Sequence, residues 1–289
     1  MEFWQAIPWI EPDQVLDVAR IAEELGFDGV ITADHALFPR ECRSAYPYSP
    51  DGKPPLSGET PYPDIWALTG AMAAVTTRIR FSCSIYVLPL RHPVDVAKAA
   101  GTVSILSGGR FMLGAGTGWM QDEFDVYGVD FKSRGRRMDE CITVLRKLWH
   151  GDWAEHHGEF FDFPPIKVSP VPAAPVPILL GGTAPVALRR AARVGDGWIG
   201  AGNHPDEVPA VLAGMRRERE AAGRGEDPFY TIVGLSAPAS IDTLKRLGEC
   251  GMSATVSYPF RYSVGEHSTL AGKRRVMEDY AENVIRHFR

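Results

Sequence analysis

Residues 104–124, SILSGGRFMLGAGTGWMQDEF, decide how this chain is read. Ser107-Gly108-Gly109 predicts the end of a helix, and the run from Arg110 predicts a short buried strand. The strand breaks into a loop with glycines at 114, 116 and 118. Glycine alternating with small residues after a strand lets a backbone approach a ligand closely and offers free N–H donors. In a fold of repeated strand–helix units, such a loop lies where active sites are built. The spacing is GxGxG, with the next clear helix well downstream. A Rossmann fingerprint needs GxGxxG opening straight into a helix, so the spacing argues against a dinucleotide site.

Working outward, the same rhythm repeats. Strands are predicted over 2–10, 29–33, 79–87, 110–115, 176–180, 197–201, 229–235 and 254–259. Helices are predicted from Pro12, over 64–77, from Pro93, and over 133–150, 184–194, 205–222, 240–250 and 270–288. Strands that alternate with helices and are apolar on both faces form a parallel sheet. About eight such units predict an α/β fold, a closed (β/α)8 TIM-type barrel forming one domain over 1–289. An open doubly wound sheet is the structural alternative. Two segments break the rhythm. Residues 37–63 hold seven prolines, and 151–175 embed Phe160, Phe161 and Phe163. Long loops in a compact domain are usually lids or binding loops. The first follows strand two, on the C-terminal face. The second starts on the opposite side and must travel back to reach a site.

Bulk properties narrow the function. The chain has 289 residues, 45% of them hydrophobic and 23% charged, as in an ordinary soluble globular protein. A net charge of −5 makes nucleic acid a poor partner. The N-terminal residues lack the basic and continuous apolar regions of a signal peptide, and no apolar run suits a membrane span. The four cysteines are scattered, with no CxxC pair, which predicts reduced thiols in the cytoplasm.

Candidate chemistry sits at the strand ends. Asp34-His35 closes strand two. A histidine at a barrel mouth can carry a proton near neutral pH, or be satisfied by backbone hydrogen bonds. Asp34 points the other way in an extended chain and need not form a dyad with it. Strand three runs into Arg91-His92-Pro93, a core loop or an anion site at a helix start. Gly181-Gly182-Thr183 feeds a helix N-terminus and reads as a phosphate cradle or a tight turn. Asp122, Glu123 and Asp125 read as a solvated loop or helix start, not as a catalytic pair. Clustered metal ligands, paired carboxylates at strand ends and a GxSxG elbow are all missing. Glycine-rich phosphate sites with few catalytic side chains suit a cofactor that carries the chemistry.

Together, AEELGFDGVITADH, TTRIRFSCSIYVLPLRHPVDVAK, LSGGRFMLGAGTGWMQDEF, FKSRGRRMDECITVLRKLW and PILLGGTAPVALRRAARVGDGWI resemble the luciferase-like monooxygenase superfamily of flavin and deazaflavin enzymes. The YPYSPDG insert, with the RHPVDVAK and RGRRMDE runs, is most similar to the branch that uses the deazaflavin coenzyme F-420. The resemblance implies a cofactor ring over the barrel mouth, supported by a non-prolyl cis peptide at Ser84–Ile85, with Asp34 also in the cofactor site. It places the cofactor phosphate against Thr117, Gly118, Gly181, Gly182 and Thr183. It sets His35 near the reacting face of the ring as the catalytic residue. It further implies a small-molecule substrate, no metal and a homodimer. In the sugar-phosphate dehydrogenase branch an acid follows the Thr-Gly pair. Here Trp119 stands there, which predicts the wall of an apolar substrate pocket. The expected activity is hydride transfer from reduced F-420 to a small organic substrate. The alternatives are an FMN-dependent monooxygenase and a cofactor-binding protein without turnover. Arg91, Lys132, Arg134, Arg136 and Arg137 are available to an anionic cofactor tail, although the last four also read as a solvated helix start.

Overall fold

The computed structural model describes residues 1–49 and 51–289; Pro50, inside the first long insert, lies outside the described residues. The central strands are β1 (Glu2–Ala6), β2 (Gly29–Thr32), β3 (Arg80–Cys83), β4 (Tyr86–Val87) and β5 (Leu113–Gly116). A hairpin of β6 (Ala154–His157) and β7 (Asp162–Ile166) follows. Then come β8 (Ile178–Gly181), β9 (Gly197–Asn203), β10 (Tyr230–Leu235) and β11 (Ala254–Val256). The main sheet has nine segments in the order β3-β2-β1-β11-β10-β9-β8-β5-β4, all paired in parallel.

β3 and β4 are two halves of one stave, interrupted at Ser84-Ile85, so nine segments make eight staves. The ring closes because both halves meet the β5 region. Tyr86 pairs with Ala115, and Phe81 bridges Phe111. This is the predicted barrel. Alternation along each strand sorts the core. Trp4, Ile31, Met112, Leu179, Ile199, Ile232 and Ala254 form one inner cluster. Their chain neighbours, such as Phe3 and Val30, pack in the larger cluster beneath the helices.

Local chemistry sets the helix starts. Asp64 caps α2 (Ile65–Ala74) by accepting from the Trp66 and Ala67 N–H groups. Pro93 opens α3 (Pro93–Leu106), where its missing N–H leaves nothing unpaired. Gly26, at φ +84°, ends the turn after α1 (Val15–Glu24).

Several boundaries differ from the expectation. β1 stops at Ala6 because Pro8 has no N–H to pair and Trp9 is left-handed, at φ +61°. The stretch after Gly118 holds α4 (Gln121–Tyr127), one of the two readings of the acidic run, although the next clear helix was expected further downstream. The second long loop is largely the β6–β7 hairpin, whose pairing shifts register between Ala154 and His156. It does travel back. The Glu140 carboxylate on α5 (Arg134–Trp149) accepts N–H bonds from Glu159, Phe160 and Phe161, and Phe161 packs against His92 at the start of α3. The last predicted helix breaks at Val284, leaving a C-terminal helix over Leu270–Asn283 and a short 3-10 turn. Residues 37–63 carry neither helix nor strand among those described.

Trp4 is completely buried in the inner cluster, and its Nε1 donates to the Tyr230 hydroxyl at 3.2 Å. Trp4→Ala should lower unfolding stability by about 3–5 kcal/mol, read from a denaturant midpoint. An unchanged midpoint would mean that the barrel does not pack around this ring.

Candidate active site

The predicted residues meet at the C-terminal mouth of the barrel. Asp34 and His35, just beyond β2, diverge as expected of consecutive residues. The Asp34 carboxylate accepts from Arg91 Nη2 at 2.8 Å and from the Val87 N–H at 3.0 Å. Arg91 also donates to the Val87 carbonyl and lies 4.6 Å from the centroid of the Tyr86 ring. Burial pushes the Asp34 carboxyl up, opposed by the Arg91 charge and the Val87 N–H. Arg91 is therefore tied to Asp34, and the pair braces β2 against β4.

His35 turns to a partner that the sequence reading missed. Its Nδ1 lies 3.0 Å from Glu123 Oε2, and the other carboxylate oxygen accepts from the Ala36 N–H at 2.7 Å. Glu123 is fully buried on α4. A carboxylate only accepts, so it holds the hydrogen on Nδ1 and leaves Nε2 as the exchanging atom. The acidic run is a helix start, as one reading had it, but its first two members are not solvated. Asp122 is buried too, where the Ser44 hydroxyl donates to Oδ2 at 2.7 Å and Arg43 Nε to Oδ1 at 3.1 Å. The Ser44 hydroxyl also accepts from the Gln121 N–H at 2.8 Å, capping α4. Asp125 takes the remaining end of Arg43. The run is the dock for the proline-rich insert. A usable signal was present: acids in a first turn and a left-handed Gly128 at the C-terminal end mark a helix.

Trp119 stands edge-on to His35, with ring centroids 5.6 Å apart, and Tyr62 from the insert does the same at 5.1 Å. Tyr46 packs on Trp119 at 5.0 Å. Trp9 Nε1 donates to the Tyr62 hydroxyl. No spacing rule pointed to Tyr46 or Tyr62, because the insert has no periodicity.

The glycine loops share one surface. The Ser84–Ile85 peptide is cis, as the resemblance implied. The Ile85 side chain lies between Gly116 and Gly181, and a Cβ on either glycine would overlap it. Gly118, at φ +77°, sits where a Cβ would come 2.6 Å from Val87 Cγ1. The Gly182 carbonyl accepts from Trp198 Nε1 at 2.9 Å, which fixes the turn before α6 (Pro185–Val194), and Thr183 is exposed on that turn. Beside these loops is a mouth cavity lined by Ile31, Thr32, Ser84, Ile199, Gly200 and Tyr258 among others, none of them charged. The basic run on α5 is partly spent elsewhere. Arg136 pairs with Glu159, Arg137 lies 4.5 Å from the centroid of the Phe161 ring and Arg134 3.7 Å from that of Phe131, while Lys132 is exposed.

The sequence profile of the luciferase-like monooxygenase family matches residues 5–243, and the chain belongs to that family of oxidoreductases. An uncharacterized protein of Mycobacterium tuberculosis is 41% identical over 272 residues, spanning 93% of this chain and 94% of that one. An F420-dependent glucose-6-phosphate dehydrogenase of Nakamurella multipartita is 29% identical, spanning 91% of this chain and 74% of its own. The crystal structure of the monooxygenase RslO1 from Streptomyces bottropensis superposes with a TM-score of 0.79 over 100% of both chains, at 20% identity. No helix among the described residues is long and apolar enough to cross a membrane.

Burial raises the Asp122 carboxyl, but the bonds from Ser44 and Arg43 outweigh it and hold the group below its ordinary value. A depressed carboxylate stabilises the fold above its unfolded value, about 3.9, and that stabilisation fades as pH falls through the folded value. Asp122→Asn should therefore melt below the wild type at pH 7, with the gap closing below about pH 4. A gap independent of pH would show that the insert is not docked by this charge.

Proposed function

We propose that the barrel mouth binds coenzyme F-420 and that the protein reduces a small organic molecule with it. The observation that carries this reading is the glycine surface around Ile85, set beside a histidine held by a buried carboxylate. A Cβ at Gly116 or Gly181 would strike Ile85, at Gly118 Val87 and at Gly182 Ala187, so these glycines let the strand ends close around Ile85 and bring loop backbone, which suits a flat ring and its phosphate arm, to the mouth. The ring would lie over Ser84 and Ile85. The backbone at Thr117, Gly118, Gly181, Gly182 and Thr183 would hold the phosphate, with the N-terminus of α6 behind it. The Asp34–Arg91 pair supports the ring site from below, joining the ends of β2 and β4. The F420-dependent relative spanning most of the chain supports a deazaflavin.

When bound and reduced, the deazaflavin supplies a hydride. The chain does the rest. Glu123 fixes the tautomer and angle of His35. His35 exchanges a proton at Nε2. Trp119, Tyr62 and Tyr46 keep water from that atom. A second reading, oxygenation by reduced FMN and oxygen, is favoured by the overall likeness to the RslO1 monooxygenase.

Titration with F-420 and with FMN separates the two. F-420 should bind, with FMN at least about tenfold weaker. Tight FMN binding without F-420 binding would sink the deazaflavin reading. His35→Ala should retain F-420 affinity while its turnover falls about a hundredfold or more. Unchanged turnover would remove His35 from the chemistry. No turnover by the wild type across broad substrate panels would favour a cofactor-binding protein.

A further inference from the structure

The wall around His35 carries information about what it receives. Tyr62 and Trp119 meet the imidazole edge-on from two sides, at 89° and 81°. Tyr46 extends the wall beyond Trp119, and Tyr48 extends it further, with ring centroids 5.4 Å apart. On the other flank, Trp9 bonds Tyr62 and meets Tyr262 at 5.8 Å. The aromatic series is continuous from Tyr48 to Tyr262 and passes through the one candidate proton carrier.

Among the described residues, the charges nearest His35 and Trp119 are committed. Arg91 is spent on Asp34, Arg43 on Asp122 and Asp125, and Arg261 on Glu266. The Glu123 carboxylate is used on both oxygens, by His35 and the Ala36 N–H. Burial pushes the Tyr46 phenol up to about 12 and the Tyr62 phenol higher still, so both are neutral at physiological pH. An anionic group placed beside His35 would lose water and find each adjoining described cation already paired, since exposed Lys53 lies at the far Tyr46 end, and a buried charge without a partner is strongly unfavourable. A cationic group would find ring faces, but Arg261 already lies 6.0 Å from the centroid of Trp9, and the described carboxylates beside His35 and Trp119 are taken, leaving exposed Glu59 at the Trp9 end. Flat rings presented edge-on favour a flat partner.

We propose that the substrate is an uncharged, planar, largely apolar molecule, bound against Trp119, Tyr46 and Tyr62 with its reacting end at His35. This rests on the reading of the mouth as a deazaflavin site, and it names the substrate class for that site. Sugar phosphates and other anionic metabolites are excluded by the same wall.

The test is direct binding, measured by calorimetry on the full chain with and without saturating F-420. The probes share one ring system and differ in charge: 2-naphthalenemethanol, 2-naphthoate and (2-naphthylmethyl)trimethylammonium, with glucose 6-phosphate as a sugar phosphate. The neutral probe should bind more than about tenfold tighter than either charged one. Trp119→Ala should weaken the neutral probe by about tenfold or more, and Trp119→Phe, which keeps an aromatic face, should recover most of that loss. Equal or tighter binding of either charged probe or of glucose 6-phosphate would overturn the proposal. So would no binding of the neutral probe to protein that binds F-420. Protein that does not bind F-420 fails the cofactor reading instead, and the neutral probe's preference then stands or falls on the cofactor-free measurement.

Discussion

One buried carboxylate joins the parts of the site. Glu123 sits on α4, receives His35 on one oxygen and the Ala36 N–H on the other, and has no exposure to solvent. A carboxylate in that position is costly unless its lone pairs are filled, so the geometry of the β2 end and of α4 must be satisfied together. Its neighbour Asp122 does the same for the proline-rich insert through Ser44 and Arg43. Two adjacent acids on one short helix thus hold the histidine and the lid that covers it. The lid has no regular structure of its own, and its docking is borrowed from α4.

Glycines supply the complementary half. Ile85 wedges between Gly116 and Gly181, and side chains at those positions would collide with it. Small residues there let the two loops close around Ile85, and the proposed cofactor would lie over the surface they form. The Asp34–Arg91 pair lies beneath it, where it carries structure and leaves the mouth cavity uncharged. The site therefore separates its tasks. In the proposed reading backbone would hold the cofactor arm, one histidine would handle the proton, and aromatic rings would shape the rest.

The barrel was legible because its signals are local. A strand apolar on both faces, followed by a capped helix, repeats along the chain, and Asp64, Pro93 and Gly26 mark their boundaries within a few residues. The glycine loops were legible for the same reason. Glu123 was not, because an acid in DEFD looks solvated until His35 and Ala36, distant in sequence, close over it. The β6–β7 hairpin was hidden by Pro164 and Pro165, which normally disqualify a strand; here they sit in the isolated hairpin where the register slips. The aromatic wall was half visible: Trp119 stood out by position, whereas Tyr46 and Tyr62 come from a segment without periodicity.

In the proposed reading this mouth takes a deazaflavin, with His35 presented by Glu123 at the reacting face. A crystal structure of the protein soaked with F-420 tests it most directly. The ring should lie in the mouth cavity over Ser84 and Ile85, with the phosphate against Gly118 and Gly182-Thr183 and His35 Nε2 turned toward the ring. A ring bound elsewhere, or a His35 whose Nε2 faces away from it with Glu123 released, would contradict it.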